Sequence, residues 1–540
     1  MKNIPYLMLC LAAVIFFSAC SSDRETPVAI GNEQQILHVG NGDEPSDIDP
    51  HITTGVPEFH IQQAVFEGLV SKDPKNLAIV PGVAERWEVS EDGRLYTFYL
   101  HPEAKWSNGD DLVAEDFVWS WQRALKPALG NQYAYSLFLI KNAEAFYTGD
   151  ITDFSEVGVK ALDKHLLQVE LNSPTPYFLQ LLDHHSLYPV HRPTIEKFGS
   201  IDARGTPWTR PENFVGNGPF TLKDWVPNQI ISVKKNPEYW DAESIKLNEI
   251  HFHPVQQSST EERMFRAGQL HILRQLPTGK IDVYRKEHPE VLRTFLNFAT
   301  YFYRFNTTKP PLNDVRVRQA LAYSIDRHQI TEHVTKGGQI PAYALTPPSE
   351  FYTPSAKMPY DPEKAKALLA EAGYPNGEGF PKLTILYNTM DEHQKIALVI
   401  QQMWKQALNI DVTLENQDWK VFLASQRSMN YEISRASWLG DYYDPNTFLD
   451  LMITDGGNNE TGWSNARYDE LIQLAANASD PTERNRYFDE AESLLVDEVP
   501  ILPIYTYSWN MAVATSVKEW HNNVMDYWSY KNVYLTSETK

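Results

Sequence analysis

Arg435 and Asp441 stand out for the company they keep. They lie six residues apart in YEISRASWLGDYYDPNTFLD, residues 431 to 450, among Ser, Trp, Leu, Gly and Tyr rather than on a charged face. A charge among apolar neighbours is costly unless an opposite charge meets it, so each must find the other or a ligand that brings both complements. A zwitterion would satisfy both at once. Other chemistry has weaker support. His184 and His185 with His191 and Asp183, or His251 with His253, are metal-binding residue types, yet no HExxH, CxxC or spaced carboxylate set accompanies them. There is no G-x-S-x-G elbow and no GK[ST] phosphate loop, and both cysteines, Cys10 and Cys20, fall in the N-terminal apolar segment. These residues favour non-covalent binding without metal or cofactor over catalysis.

The elements that must position the pair are legible from pattern. YEISRASW alternates like a half-buried strand up to Trp438, and Gly440 with Asp444-Pro445-Asn446 forces a turn after it. The cation therefore belongs to a strand and the anion to the loop that follows. Upstream, a strand at 383–387, a helix at 392–406 and a strand at 410–415 make a βαβ unit. Helices are also expected over 56–69 and 361–373, and after Asn313 as cap. An aromatic strand is expected at 293–305, an extended segment at 501–507 and a strand-like tail at 520–535.

The chain has 540 residues, 42% hydrophobic and 12% aromatic, with 35 prolines, which fits two to four folded domains with many ordered loops. A net charge of -22 without a Lys/Arg cluster argues against nucleic acid or an anionic membrane surface as partner. At the N-terminus, Lys2, the apolar run 6–17 and Ser18-Ala19-Cys20 read as an export signal over residues 1–20, too short for a permanent span. Its end at Cys20 resembles a lipobox, which would make Cys20 an acylated first residue. Residues 21–35 read as a polar tether, and the protein as periplasmic or cell-envelope, held to a membrane through lipidated Cys20.

Three blocks, EDGRLYTFYLHPEAKWSNGDDLVAEDFVWSWQRAL, GNGPFTLKDWVPNQIISVKKNPEYW and PLNDVRVRQALAYSIDR, resemble the signature blocks of the extracellular solute-binding proteins, family 5, of peptide ABC transporters. GVPEFHIQQAVFEGL, TKGGQIPAYALTPP and ASWLGDYYDPNTFLD extend the likeness along essentially the whole mature chain. The resemblance implies an α/β, periplasmic binding protein type II-like fold of two lobes and three domains with a hinge between the lobes. Domain I would comprise residues 35–66, 191–298 and 509–540, domain II 67–190, and domain III 299–508. It implies a receptor for an importer rather than an enzyme, a monomer that meets an inner-membrane ABC permease. Peptides of about two to five residues would lie extended between the lobes as an added strand, with water filling what their side chains leave. A receptor for murein tripeptide, another modified peptide or a non-peptide solute is the alternative.

Residue by residue, the resemblance implies that Asp441 pairs with a ligand's α-ammonium, Arg435 with a tripeptide's carboxylate and His393 with that of a longer peptide. Val56, Ser437, Trp438 and Leu439 would offer backbone groups; Asn388, Trp419, Tyr301, Phe302, Tyr303, Arg304 and Arg427 would line pockets. The chain departs from the pattern at Gln426, where the family has an arginine (Arg427 follows), at Thr335, where it has a lysine (Lys336 follows), and at Arg304 and Thr54, where it has glutamates. Arg304 is expected to favour acidic ligand side chains.

Overall fold

The computed structural model describes residues 25–175, 177–349, 351–478 and 480–537; the expected signal segment and Cys20 lie outside them. Eleven strands form the main sheet: β1 (Ile36–Gly40), β2 (Phe220–Val226), β3 (Ile230–Lys235), β4 (Glu249–His253), β5 (Ile272–Leu273), β6 (Leu292–Phe305), β7 (Ile340–Pro341), β8 (Leu383–Asn388), β9 (Val412–Gln417), β10 (Ile433–Leu439) and β11 (Ile501–Val513). Their spatial order is β9-β8-β10-β6-β11-β5-β1-β4-β3-β2, with β7 on β11. β8 and β9 are parallel, joined by the expected crossover helix Asp391–Leu408. A separate four-stranded antiparallel sheet is built from Ala84–Val89, Leu95–Leu100, Leu166–Glu170 and Val159–Asp163.

The two halves of the main sheet are joined through β6 and β11, the longest strands in it. They pair over 292–296 with 508–512 and again over 300–304 with 501–506, and the register shifts between Leu296 and Thr300. Such a bulge interrupts the ladder and lets a strand bend. Apolar side chains gather on either side of it. One core joins Leu37, Val65, Phe220 and Ile250 to Trp528 of the tail; a second, including Phe98, Trp121 and Leu167, lies under the small sheet. Two more, around Tyr301, Ile385 and Trp404 and around Phe302, Phe448 and Phe488, fill the far half. Burying each such side chain contributes about 1.5–3 kcal/mol.

Several expectations are corrected. Residues 27–34 of the expected tether form helix α1 (Pro27–Gln34), because Thr26 Oγ1 accepts from Ala29 N and proline stands at its first turn. Gln35 then clamps both main-chain groups of Leu535 at 2.7 and 2.9 Å, so this stretch is docked rather than solvated. Helix α2 (Val56–Val65) stops four residues before the expected end, where Phe66 turns extended. The cap of the Val315–Tyr323 helix is Asp314, whose carboxylate accepts from Arg316 N, and not Asn313. The extended run from 501 continues to Val513. Within 520–535 only Tyr534–Leu535 is strand, pairing with Val517–Lys518; the aromatic side chains there pack as loop residues over the first core.

Candidate functional site

The centre of the site is one edge of β10. On one side β10 is laddered to β6 from Ile433 to Leu439; on the other it meets β8 only at Ile433 and Ser434. The edge of Ser437, Trp438 and Leu439 away from β6 therefore has no strand partner, and these residues line a cavity of about 150 Å3. An unpaired edge facing a cavity can accept an extended chain as an added strand. Val56, at the start of α2, lines the cavity from the opposite side. After Leu439 the chain must turn sharply against β6. A Cβ on Gly440 would stand 2.7 Å from Phe298 Cδ1, so only glycine permits its N–H to reach Phe298 O at 2.9 Å.

Arg435 is buried at 7% exposure. Its Nη2 donates to Tyr507 Oη at 2.7 Å and its Nη1 to Asn388 Oδ1 at 3.4 Å, its guanidinium lies 4.8 Å from the Tyr301 ring centroid, and its Nε has no partner. No carboxylate pairs with it among the described residues. Asp441 is not its partner. Asp441 N donates to Thr447 Oγ1 at 2.9 Å, and its carboxylate lies 3.2 Å from His184 Nε2. Arg435 thus presents a buried cation and Asp441 a carboxylate to the same cavity. Such charges recover their desolvation cost when a ligand supplies the complements.

A second chamber of about 90 Å3 adjoins the first, and Val56, Trp419, Arg435, Ser437 and Leu439 line both. Asn388 and His393 lie in it. His393 is buried, with its Nδ1 3.4 Å from Tyr301 Oη, and burial and then the Arg435 charge hold its pKa well below the usual value, so the ring is neutral. Burial pushes two carboxyls of this chamber, Asp43 and Glu392, up to about 7. Arg274 Nε and both polar atoms of Asn297 are buried there without partners.

The other expected residues fall differently. Tyr301, Phe302 and Tyr303 line neither chamber. β6 is covered on both faces, so they are fully buried, Tyr301 and Tyr303 in one core and Phe302 in another, and Tyr301 acts only as the ring beneath Arg435. Arg304 does line the first chamber, but Glu460 forms an ion pair with it, which neutralises the cation expected to attract acidic side chains. Arg427 lines neither chamber; it reaches across the cleft to Thr54 Oγ1 at 3.4 Å. Gln426 holds the strand instead, donating to Arg435 O and Ser434 Oγ, each at 2.9 Å. Thr335 is buried away from both chambers and bonds Gln339. Of the histidines drawn as metal ligands, His185 meets Pro50 O, His191 meets Asp110 and His251 meets Glu249, while Asp183 pairs with Lys72. Sequence reasoning missed His184, Glu460, Asp43 and Glu392 because their partners are remote in the chain.

A two-halved α/β protein with a charged cleft between the halves, and a strand edge free inside it, is the architecture of a solute receptor. The profile of the bacterial extracellular solute-binding proteins, family 5 Middle, matches residues 78–460, and the chain belongs to that family. It is similar to the periplasmic oligopeptide-binding protein OppA of Salmonella typhimurium, 36% identical with 99% of this chain and 97% of that protein covered. It is also similar to the periplasmic murein peptide-binding protein MppA of Escherichia coli, at 37% with 92% and 93% covered. The Haemophilus influenzae OppA complex with RPPGFSPFR superposes with a TM-score of 0.88 at 34% identity, covering 93% of this chain and 99% of that one. A structure of Escherichia coli MppA gives 0.88 at 36% identity, whereas its unliganded open form gives 0.63, each covering 93% of this chain and 98% of that one. The halves of this protein are therefore arranged as in the first two structures, over an enclosed cleft.

Proposed function

We propose that the protein is the receptor component of an ABC importer for short peptides, binding them extended along β10 with little regard to their sequence. The observation that carries this reading is the free edge of Ser437 to Leu439, lying between an uncompensated buried cation, Arg435, and the carboxylate of Asp441. Backbone hydrogen bonds to that edge are available from every peptide, and the two charges fix where its ends lie. Val56 and Trp419 close the first chamber from the other side, and His393 stands where the end of a longer ligand would reach the second.

Binding couples to closure because the ligand would touch both halves. The bend at the β6 bulge is the natural hinge, and cross-cleft contacts such as Gln275 Nε2 to Glu392 at 2.7 Å and Gln256 Nε2 to Asp418 at 3.0 Å form only when the halves meet. The closed form would then dock, as a monomer, on an inner-membrane permease, with the receptor exported and tethered through Cys20. The domain limits would be those given by the resemblance, with the 298/299 and 508/509 boundaries on the two crossover strands.

The charged second chamber, with Arg274, Asp43 and Glu392, also suits a modified peptide such as a murein tripeptide bearing a zwitterionic side group. Mass spectrometry of ligand released from the purified protein, followed by calorimetry with Ala-Ala-Ala, separates the readings. Unmodified peptides of mixed sequence and stoichiometric binding of Ala-Ala-Ala are expected. Release of one modified species, with no binding of any tri- to pentapeptide, would overturn the reading. Recovery of Ala-Ala-Ala intact after incubation distinguishes a binder from a peptidase.

A further inference from the structure

A cavity of about 340 Å3 lies between the two halves, sharing no lining residue with either peptide chamber. One wall is formed by residues 131–147 and 172–177, the other by residues 446–477. Its charged lining is of one sign: Glu144, Asp450 and Asp455, with no lysine or arginine. Arg484, the cation nearby, is committed to both oxygens of Asp444 at 2.7 and 2.9 Å.

Hydrogen bonding shows which groups are left over. Asn446 is 2% exposed, and its Nδ2 donates to Asp450 Oδ2, to Tyr442 Oη at 2.8 Å and to Tyr177 Oη at 3.3 Å. Turning the amide over would set its oxygen against the Asp450 carboxylate, so the orientation is fixed. Its Oδ1 is buried without any partner. Asp450 accepts only through Oδ2, from Asn446 and from Tyr442 Oη at 3.3 Å, which leaves Oδ1 as a second acceptor. Burial pushes the Asp450 carboxyl up to about 7, the mark of a carboxylate whose counter-charge is missing. The rest of the lining includes Tyr135, Phe138, Tyr147 and Tyr177, aromatic surfaces that attract cations. Spare acceptors, negative charge and aromatic faces together call for a ligand that is cationic and carries N–H donors.

We propose that this cavity is a second ligand site, taking an ammonium or guanidinium group between Asn446, Asp450 and the tyrosines. Because its walls belong to opposite halves, an occupant bridges them, and the site and the peptide cleft help each other by stabilising the same closed form. That linkage rests on the peptide reading above; the site itself does not. The cation has two possible sources, a free small amine or the basic side chain of a peptide ligand.

The test is calorimetric titration of the full chain with agmatine, which carries one amine and one guanidine, against 1-butanol as uncharged control. Agmatine is expected to bind, to bind more tightly in saturating Ala-Ala-Ala, and to lose about tenfold or more in affinity in Asp450→Asn, the loss of one charge-assisted contact. Should Asp450→Asn fold poorly, Glu144→Gln, at an exposed position, is expected to weaken agmatine by a smaller factor. If the source is a peptide side chain, wild type prefers Ala-Ala-Lys to Ala-Ala-Ala, and Asp450→Asn erases that preference. Agmatine binding that depends on Asp450 in a protein that ignores Ala-Ala-Ala would sink the peptide reading and leave this site standing. The proposal is overturned if agmatine binds no better than 1-butanol and Ala-Ala-Lys shows no preference, or if Asp450→Asn and Glu144→Gln both behave as wild type.

Discussion

The imidazole Nε2 of His184 stands 3.2 Å from the Asp441 carboxylate, and the two residues reach each other from opposite halves of the protein. The backbone N–H of Ser186 points at His184 Nδ1 from 3.4 Å, which makes Nδ1 the acceptor and leaves the proton on Nε2, facing Asp441. Asp441 is therefore held by a neutral donor without being neutralised. It keeps its charge for a ligand ammonium, while the contact itself pins the closed arrangement.

Asp441→Ala is expected to weaken Ala-Ala-Ala binding by about tenfold to a hundredfold, the value of one charge-assisted hydrogen bond at about 1.5–3 kcal/mol. The melting temperature without ligand should hardly move, since Thr447 would lose only a long contact to the carboxylate. Calorimetry showing wild-type affinity would remove Asp441 from the site.

Arg435→Met should cost a tripeptide a similar factor but a pentapeptide much less, because the longer ligand's carboxylate lies beyond Arg435, towards His393 in the second chamber. Equal losses for both lengths would show that Arg435 merely holds Asn388 and Tyr507 in place.

Glu460→Gln removes the counter-charge of Arg304 inside the first chamber. Wild type is expected to bind Ala-Glu-Ala and Ala-Lys-Ala about equally well, and the variant to favour the acidic peptide by several-fold, at some cost in stability from the unpaired cation. A variant without preference would place Arg304 out of reach of ligand side chains.

Two sets of buried groups make stability depend on pH in opposite senses. Burial lowers His51 and His271 from 6.5 to about 4, so the unfolded chain takes up their protons more readily; their contribution is present above pH 6.5 and is lost as pH falls through 4. Burial raises Glu261 and Glu392 from 4.5 to about 7, so their contribution is present below pH 4.5 and is lost as pH rises through 7. Denaturant titrations of Glu261→Gln should therefore show a steeper loss of stability between pH 7 and 5 than wild type, and His271→Gln a shallower one. The changes in slope should amount to on the order of 2 kcal/mol over that range. Parallel profiles for wild type and both variants would contradict the assigned shifts.

Closure predicts a change of size. The radius of gyration from X-ray scattering should fall when saturating Ala-Ala-Ala is added, because the contacts of Gln275 with Glu392 and Arg427 with Thr54 require the halves to meet. An unchanged radius would mean that the cleft does not open.

How much of this was legible in the chain depended on range. The alternation of residues 431–438, the turn after Gly440 and the βαβ unit before it are local patterns, and the structure places strand, turn and crossover helix there. Arg435 and Asp441 were legible as charges in apolar company, and the absence of nucleophile and metal motifs pointed to binding. Tyr301 to Tyr303 misled because an aromatic run on a strand buried on both faces reads like one that lines a pocket. The partners were hidden altogether: His184 for Asp441, Tyr507 for Arg435 and Glu460 for Arg304 come from distant segments. The sequence by itself determined that two opposite charges had to be satisfied beside a strand. Only the tertiary structure decided that they do not satisfy each other, because β10 pairs with β6 along its whole length and with β8 at one end only, leaving between the charges a free edge that another chain can occupy.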